Sequence, residues 1–318
     1  VIKSSDVGRL AEGFEPCLNI KPFETEVVST PEDHSRFEHN ELCTSEDESS
    51  EAINFKMPWD DPSQLKFLKS IVPVTEETFH RLFVDRTEDA CKEEEKCPQR
   101  SEAWHKARAF SVTASQFGAS VGHNKYLSRP ALLKQKLHPH EVKISAQYIQ
   151  LGLEHECHAE EAFLEFLKPK VDGLFVIEHP GLLKHPTDAW TACSPDGILR
   201  RWENGVEKVE LIEYKAPAYH REKLGHPYSK EHYNIPTMYL DQMMGSMWLI
   251  RKHELVRGGV DGAWFVVWQP HALSVTYVPY VKEYADFLMA EVESFFKETF
   301  VPACVEQINS IKDETILL

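Results

Sequence analysis

Apolar positions along the chain fall into periodic stretches separated by charged ones. From Pro62 to Asp85, Leu65, Leu68 and Ile71, then Phe79, Leu82 and Phe83, recur at helical spacing, which predicts two helices broken at Pro73. The run EDACKEEEKCPQR that follows has no apolar period and reads as a linker. From about Ser101 the pattern tightens. SEAWHKARAFSVTASQFGASVG predicts a short helix, a break near Ser111 and a second helix opened by Thr113. Residues 144–168 predict a long helix with Tyr148, Leu151, Phe163 and Phe166 as buried positions, ended by Pro169. Strand-like segments come next, at Gly173–Glu178, Ala189–Ser194, Gly197–Trp202 and Val209–Tyr214, with Asn204-Gly205 as a hairpin turn between the last two. A helix over Thr237–Arg251, strands at Ala263–Gln269 and Leu273–Val278, and a closing helix over Lys282–Glu298 complete the pattern. Helices against a small mixed sheet predict an α/β sandwich, and no internal repeat is visible.

Composition divides the chain. Residues 1 to about 55 are rich in Glu, Asp, Ser and Pro, with too few apolar residues to offset the entropy of ordering. Residues 1–98 therefore read as an acidic extension, largely disordered to about 55 and then helical, and 99–318 as the compact domain. Hydrophobic content of 42% and aromatic content of 11% suffice for a packed core. No stretch reaches the roughly 18 uncharged apolar residues of a membrane span, and the opening VIKSSDVGRLAEG lacks the basic start and apolar run of a secretory leader. Seven scattered cysteines without a CxxC pair predict reduced thiols and an intracellular protein, in nucleus or cytoplasm with an organelle left open. The net charge of −16 argues against a plain DNA-coating protein. Residues 1–100 carry −11 of it, however, which leaves −5 for the other 218 residues, mild enough for a carboxylate-bearing enzyme with a local basic groove.

One segment concentrates the chemistry: TACSPDGILRRWENGVEKVELIEYKAP. It puts Asp196 at the start of one strand and Glu213-x-Lys215 at the end of the next. Side chains alternate along a strand, so Glu213 and Lys215 share a face and Tyr214 points the other way. If the hairpin forms, Asp196 joins them at the same sheet edge. Two carboxylates and an ammonium suit Mg²⁺, a hard ion that prefers oxygen ligands and keeps several waters. Such ions polarise a phosphodiester and activate water, while the lysine orients that water and offsets developing charge. Taken alone, a Glu-x-Lys at a strand end is ordinarily a solvated face, and Pro-Asp-Gly is ordinarily a turn.

The surroundings change that balance. EAWHKARAFSVTAS at 102–115, GLEHECHAEEAF at 152–163, TACSPDG at 191–197 with the ExK at 213–215, and MYLDQMMGSMW at 238–248 stand in one order across roughly residues 100–270. Together they resemble the phage lambda-type exonuclease family, the YqaJ viral recombinases of the PD-(D/E)xK nuclease superfamily. The resemblance implies a restriction-endonuclease-like α/β core over 99–318, with a central mixed β-sheet flanked by helices. It implies Mg²⁺, with Mn²⁺ as a possible substitute and two ions per site, held by Asp196, Glu213, the backbone carbonyl of Tyr214 and, less firmly, Glu156. Lys215 resembles the catalytic lysine, and Glu156 the active-site glutamate of the Gly152-x-x-x-Glu156 helix, with Glu154 as the adjacent alternative. Gln242 resembles the glutamine that positions Lys215 and the attacking water. Arg108, Ser115 and Ser194 match the family's pocket for a 5′-phosphate. The chain departs from the family at Tyr214, where a smaller aliphatic residue is common, and at Met244, where a second glutamine is common.

Each of these residues also has a purely structural reading. Glu156 lies on a charged helix face, Gln242 among methionines, Arg108 on an amphipathic helix, and Ser115 where it could cap or back-bond its helix. Trp104 and Trp248 read as core anchors. His155 and His158 are three apart, so HECH lacks zinc-protease spacing; no GxxxxGK[ST] loop is present, and Gly258-Gly259 reads as a turn. The expected function is hydrolysis from double-stranded DNA ends, 5′ to 3′, in recombination, repair or genome processing. Expected partners are duplex ends, a single-strand annealing protein or other recombination factor, and a homotrimer of the phage type; no membrane is expected. The alternatives are a catalytically weak DNA-end-binding module and an endonuclease of the same superfamily.

Overall fold

The computed structural model describes residues 25–29, 50–52, 55–141, 143–171, 174–216, 235–252, 259–269 and 272–311, with side chains left aside at 25–29, 50–52, 143–154 and 272. Its strands are β1 (Thr25–Ser29), β2 (Ser50–Ala52), β3 (Val112–Thr113), β4 (Lys143–Ser145), β5 (Phe175–Glu178), β6 (Thr191–Ala192), β7 (Gly197–Glu203), β8 (Val206–Lys215), β9 (Gly262–Gln269) and β10 (Ala272–Pro279). Its α-helices are α1 (Pro62–Ile71), α2 (Glu76–Phe79), α3 (Glu88–Glu95), α4 (Glu102–Arg108), α5 (Ala114–Ser120), α6 (Arg129–Leu137), α7 (Ala146–Leu167), α8 (Thr237–Ile250), α9 (Lys282–Phe295) and α10 (Val301–Ser310).

Six strands form one sheet in the order β1-β10-β9-β8-β7-β5. β8 and β9 run parallel, and the other neighbours antiparallel. At the β7–β8 turn, Asn204 (φ 52°) and Gly205 (φ 79°) both take the left-handed conformation that a two-residue hairpin favours. That turn fixes the register, pairing Glu203 with Val206 and Gly197 with Ile212. Alternation then sorts the strand residues. Ile198, Val209, Leu211, Phe265 and Val267 pack with α5, α8 and α9; Leu199, Ile212, Tyr214, Val266 and Trp268 pack on Phe163 and Phe166 of α7. Complete burial of a side chain such as Phe163 or Phe265 contributes about 1.5–3 kcal/mol. The expected mixed sheet flanked by helices is what is found.

Several expectations are corrected. In the stretch to about residue 55, expected to be largely disordered, β1 pairs along β10 and β2 along β4, and the rest lies outside the described residues. TEVVS is too short to show periodicity alone, and its Val27-Val28 pair suits an edge strand that a neighbour completes. The supposed linker folds as α3, capped by the Thr87 hydroxyl accepting from the Ala90 N–H. Helices α1 and α2 are no separate appendage: Leu68, Phe79 and Val84 share a core with Phe110, Phe296 and Phe300. The Asn309 side chain accepts from the Val74 N–H at 2.7 Å and donates to its carbonyl at 3.0 Å. Residues Ala189–Ser194 yield only the two-residue β6, with Cys193 bridged to Leu183. Residues 143–145 are strand, not helix, and the closing helix runs on through a wide turn into α10. Tyr148 and Leu151 fall among the side chains left aside.

Helix α8 is clamped against α5 by reciprocal glycines. A Cβ on Gly245 would stand 2.3 Å from the Phe117 ring, and one on Gly118 would stand 2.9 Å from the Met238 backbone. Buried Asp241 adds a polar clamp, accepting from the Tyr284 hydroxyl of α9 and lying 2.9 Å from His123 Nδ1. The end of α4 is capped by two buried ammoniums. Lys184 donates to the Ala107 carbonyl at 2.5 Å, and Lys136 to Ala109 and Ser111 at 3.2 and 2.7 Å. These satisfy carbonyls that a helix end leaves without partners. Burial, helped by the charge of Arg108, pushes Lys136 down to about 7, and burial pushes Lys184 down to about 8 against the pull of Glu94.

Two outcomes follow from this packing. Gly245→Ala should destabilise the fold by about 1–3 kcal/mol through overpacking, despite a helix-propensity gain of about 1 kcal/mol; a urea midpoint that rises instead would refute the clamp. For Lys136, the folded pKa near 7 lies below the ordinary 10.5, so the unfolded chain binds more protons between those values and stability should rise with pH across that window. Denaturation at pH 7 and pH 9 should show a larger gain for wild type than for Lys136→Met, and equal gains would count against the shift.

Candidate active site

The site is built at the end of the β7–β8 hairpin. On β8, Tyr214 packs into the α7 side of the sheet, while Glu213 and Lys215 face α8. The Lys215 ammonium donates to Glu213 Oε1, and Gln242 Nε2 from α8 donates to the same oxygen at 2.5 Å. Asp196, just before β7, is fixed by the Tyr214 backbone N–H, which donates to its Oδ2 at 2.7 Å. Four of the sequence-derived candidates, Asp196, Glu213, Lys215 and Gln242, are thus brought together.

Burial makes the charge on these carboxylates costly. Glu213 is 2% exposed, and burial, aided by Asp196 and opposed by Lys215, pushes its carboxyl up to about 7. Burial also raises Asp196, against the pull of Lys215 and the Tyr214 N–H. For Lys215, burial would favour the neutral amine, but Glu213 and Asp196 outweigh it and hold the ammonium above its ordinary range. Buried carboxylates that raise one another's pKa favour additional positive charge between them. Their donors are all oxygens, which fits Mg²⁺. Among the described residues, no three acidic, imidazole or thiol groups stand together as a ready metal cluster.

Glu156 stands nearby on α7, one turn from Glu160. Burial and Asp196 raise its pKa, while Arg100 and Lys215 oppose them. Arg100 donates to both Glu156 oxygens, at 3.1 and 3.2 Å. A cavity of about 470 Å³ opens here, lined by Glu156, Glu160, His179, Asp196 and Tyr214 together with Glu95–Gln99. His179 Nδ1 donates to the Asp196 carbonyl at 2.8 Å, and its Nε2 lies 3.2 Å from Glu160. The side chain of Glu154 is among those left aside.

Arg108 and Ser194 meet through Trp104. The guanidinium lies 3.9 Å from the centre of the Trp104 ring, whose Nε1 donates to the Ser194 hydroxyl at 3.0 Å. Arg108 also donates to Thr113 at 2.7 Å, two positions before Ser115, which is exposed in the first turn of α5. Burial pushes Arg108 down to about 10. Trp104 is buried, as expected of a core anchor, but its role in joining the two residues was not visible in the sequence. Arg100 and His179 were also missed. Arg100 sat in a presumed linker, and nothing local marks a histidine 17 positions from the aspartate whose carbonyl it holds.

Solved structures of low sequence identity are similar to the chain. An alkaline exonuclease (LHK-Exo) from Laribacter hongkongensis is 21% identical, covers 67% of this chain and 99% of its own, and superposes with a TM-score of 0.49. A SOX–DNA complex is 11% identical, with 74% of each chain covered and a TM-score of 0.45. The shutoff and exonuclease protein of Kaposi's sarcoma-associated herpesvirus is 11% identical, covering 76% of this chain and 77% of its own, with a TM-score of 0.40. No curated protein matches the chain. Residues 103–253, which hold Arg108, Glu156, Asp196, Glu213, Lys215 and Gln242, match the family model of the YqaJ-like viral recombinase domain. The resemblance carried by the motifs is thus borne out over this stretch of the chain.

Proposed function

We propose that the chain is a Mg²⁺-dependent exonuclease that hydrolyses phosphodiester bonds from the ends of double-stranded DNA, in the 5′-to-3′ direction. The observation that carries this reading is the convergence of Asp196, Glu213 and Lys215 on one buried point, pinned by Gln242, inside the YqaJ-like domain. Asp196, Glu213 and the Tyr214 carbonyl would hold the cation, with Glu156 as a further carboxylate. A bound divalent ion supplies Lewis acidity toward the phosphate and makes a coordinated water acidic enough to attack near neutral pH. Lys215 keeps its proton beside Glu213 and can orient that water and offset charge growing on the phosphoryl oxygens. Gln242 holds the Glu213 carboxylate in place, so Lys215 and the cation ligands keep one geometry.

The 5′ polarity rests on Arg108, Ser115 and Ser194. A guanidinium stacked on Trp104 is rigid, and its fork suits a terminal phosphate. Holding that end at a constant place would set which bond is cut next. Mn²⁺ should substitute for Mg²⁺, and two ions per site suit in-line displacement at a phosphodiester. A homotrimer around the duplex and a single-strand annealing partner belong to the same reading. Among the described residues no helix is long and apolar enough to cross a membrane.

Digestion of end-labelled linear duplex, with 5′-phosphate or 5′-hydroxyl and with or without Mg²⁺, tests the reading against an end-binding module; resistance of closed circles tests it against an endonuclease. Lys215→Ala and Asp196→Asn should each lower nucleotide release by at least roughly 100-fold while DNA binding persists. Appreciable turnover in both would sink the site. Arg108→Ala should cut the preference for phosphorylated ends by roughly 10-fold or more, and equal losses on both kinds of end would remove the proposed pocket.

A further inference from the structure

Part of the cavity wall comes from outside the YqaJ-like stretch. Glu95, at the end of α3, and residues 96–99 after it line the cavity as a strap, and Arg100 follows before α4 begins. The strap is anchored on both sides. The Gly181 N–H donates to the Glu95 carbonyl at 3.1 Å, and Gln99 donates to the Pro195 carbonyl, next to Asp196, at 3.4 Å. The approach at Gly181 is so close that a Cβ there would stand 2.2 Å from the Glu95 oxygen and 2.5 Å from that of Cys97. At the strap's end Arg100 takes φ 68°, a left-handed backbone that disfavours any residue with a side chain. That turn directs the arginine to Glu156, which it contacts while 39% of its own side chain stays exposed.

We propose that Arg100 is a two-position residue: it neutralises Glu156 when the site is free of nucleic acid, and moves to a backbone phosphate of the strand that enters. This deepens the nuclease reading and rests on it. The Glu156 pair is a half-exposed ion pair and so is weak and easily exchanged. Glu156 and Asp196 line the same cavity, so a cation bound among the carboxylates displaces the need for a guanidinium counter-charge. A phosphodiester in the cavity offers the planar fork a better acceptor than a carboxylate already shared with a cation. Among the described residues, Glu156 is the one carboxylate in salt-bridge contact with Arg100, so the move breaks no second ion pair. The strap therefore forms one bank of the strand's channel, and Arg100 is its contact to the backbone.

The test uses the full chain in a Lys215→Ala background, with Mg²⁺ and a 5′-phosphorylated duplex whose binding is followed by fluorescence anisotropy over a range of salt. Arg100→Gly removes the charge and relieves the left-handed backbone, so the fold should hold; thermal unfolding checks that. Affinity should fall about 3- to 10-fold, and the slope of log K against log salt should shrink by about 0.7–0.9, the value for one lost phosphate contact. Arg100→Lys should keep the slope. Without DNA, Mg²⁺ affinity by calorimetry should stay level or rise in Arg100→Gly, because a competitor for Glu156 is gone. An unchanged slope, or a fall in Mg²⁺ affinity, overturns the exchange. If wild type digests linear duplex normally while Arg100→Gly keeps the full slope, this inference alone fails. If wild type neither binds nor digests duplex, the nuclease reading fails with it.

Discussion

A carboxylate buried at the end of a strand must be compensated, and the compensation of Glu213 organises the middle of this molecule. At 2% exposure its charge is costly to hold. It is held by Lys215 two residues along the same strand and by Gln242 from α8. The lysine comes with the strand, because period-two alternation brings it to the same face. The glutamine does not. It reaches Glu213 only if α8 keeps one depth and rotation against the sheet. The Gly118 and Gly245 contacts set that depth, and the Asp241 clamp to Tyr284 and His123 fixes the rotation one residue before Gln242. Packing far from the sheet edge is therefore part of the site.

What could be read from the sequence follows the range of the interactions. The hairpin was legible because Asn204-Gly205 meets a local backbone demand, and the Asp196–Glu213–Lys215 convergence because strand geometry carries it once the hairpin closes. Phe163 and Phe166 were legible as core because α7 is long enough for its period to show. Glu156, Gln242, Arg108 and Ser194 came from likeness in order and spacing, and their contacts span too many residues to follow from local pattern. Short elements failed for a related reason. Neither the five residues of β1 nor the two of β6 have a period, and only pairing with a distant strand makes them structure. The charged run before residue 100 looked solvated because its one turn of helix-capping chemistry, at Thr87, was outweighed by composition. Its value lies in contacts to Gly181, Pro195 and Glu156, none of them near it in sequence.

Charge is partitioned in a way that the net value of −16 conceals. Carboxylates gather at the end of the β7–β8 hairpin, and three basic side chains, Arg108, Lys136 and Lys184, gather around the end of α4. The two lysines are spent on carbonyls: they cap Ala107, Ala109 and Ser111 and so hold the turn from which Arg108 projects. Arg108 is then stacked on Trp104, which is tied to Ser194, two residues before Asp196. A path of two contacts and two residues of backbone thus runs from the basic cluster to the acidic one.

This partition bears on how an acidic chain could handle a polyanion. Non-specific attraction to nucleic acid scales with the cations that reach the backbone, and a net charge of −16 opposes it at long range. Local placement must then do what overall charge does not. A fixed guanidinium on one side of the carboxylates and an exchangeable one on the other would give two anchoring points whose separation is set by packed helices and not by long flexible side chains. The cost of bringing phosphate up to carboxylates falls further once a divalent cation lies between them, since the same ion answers both charges. In such an arrangement affinity depends on the cation and on two arginines more than on the rest of the surface, so binding would be confined to the one place where all three coincide.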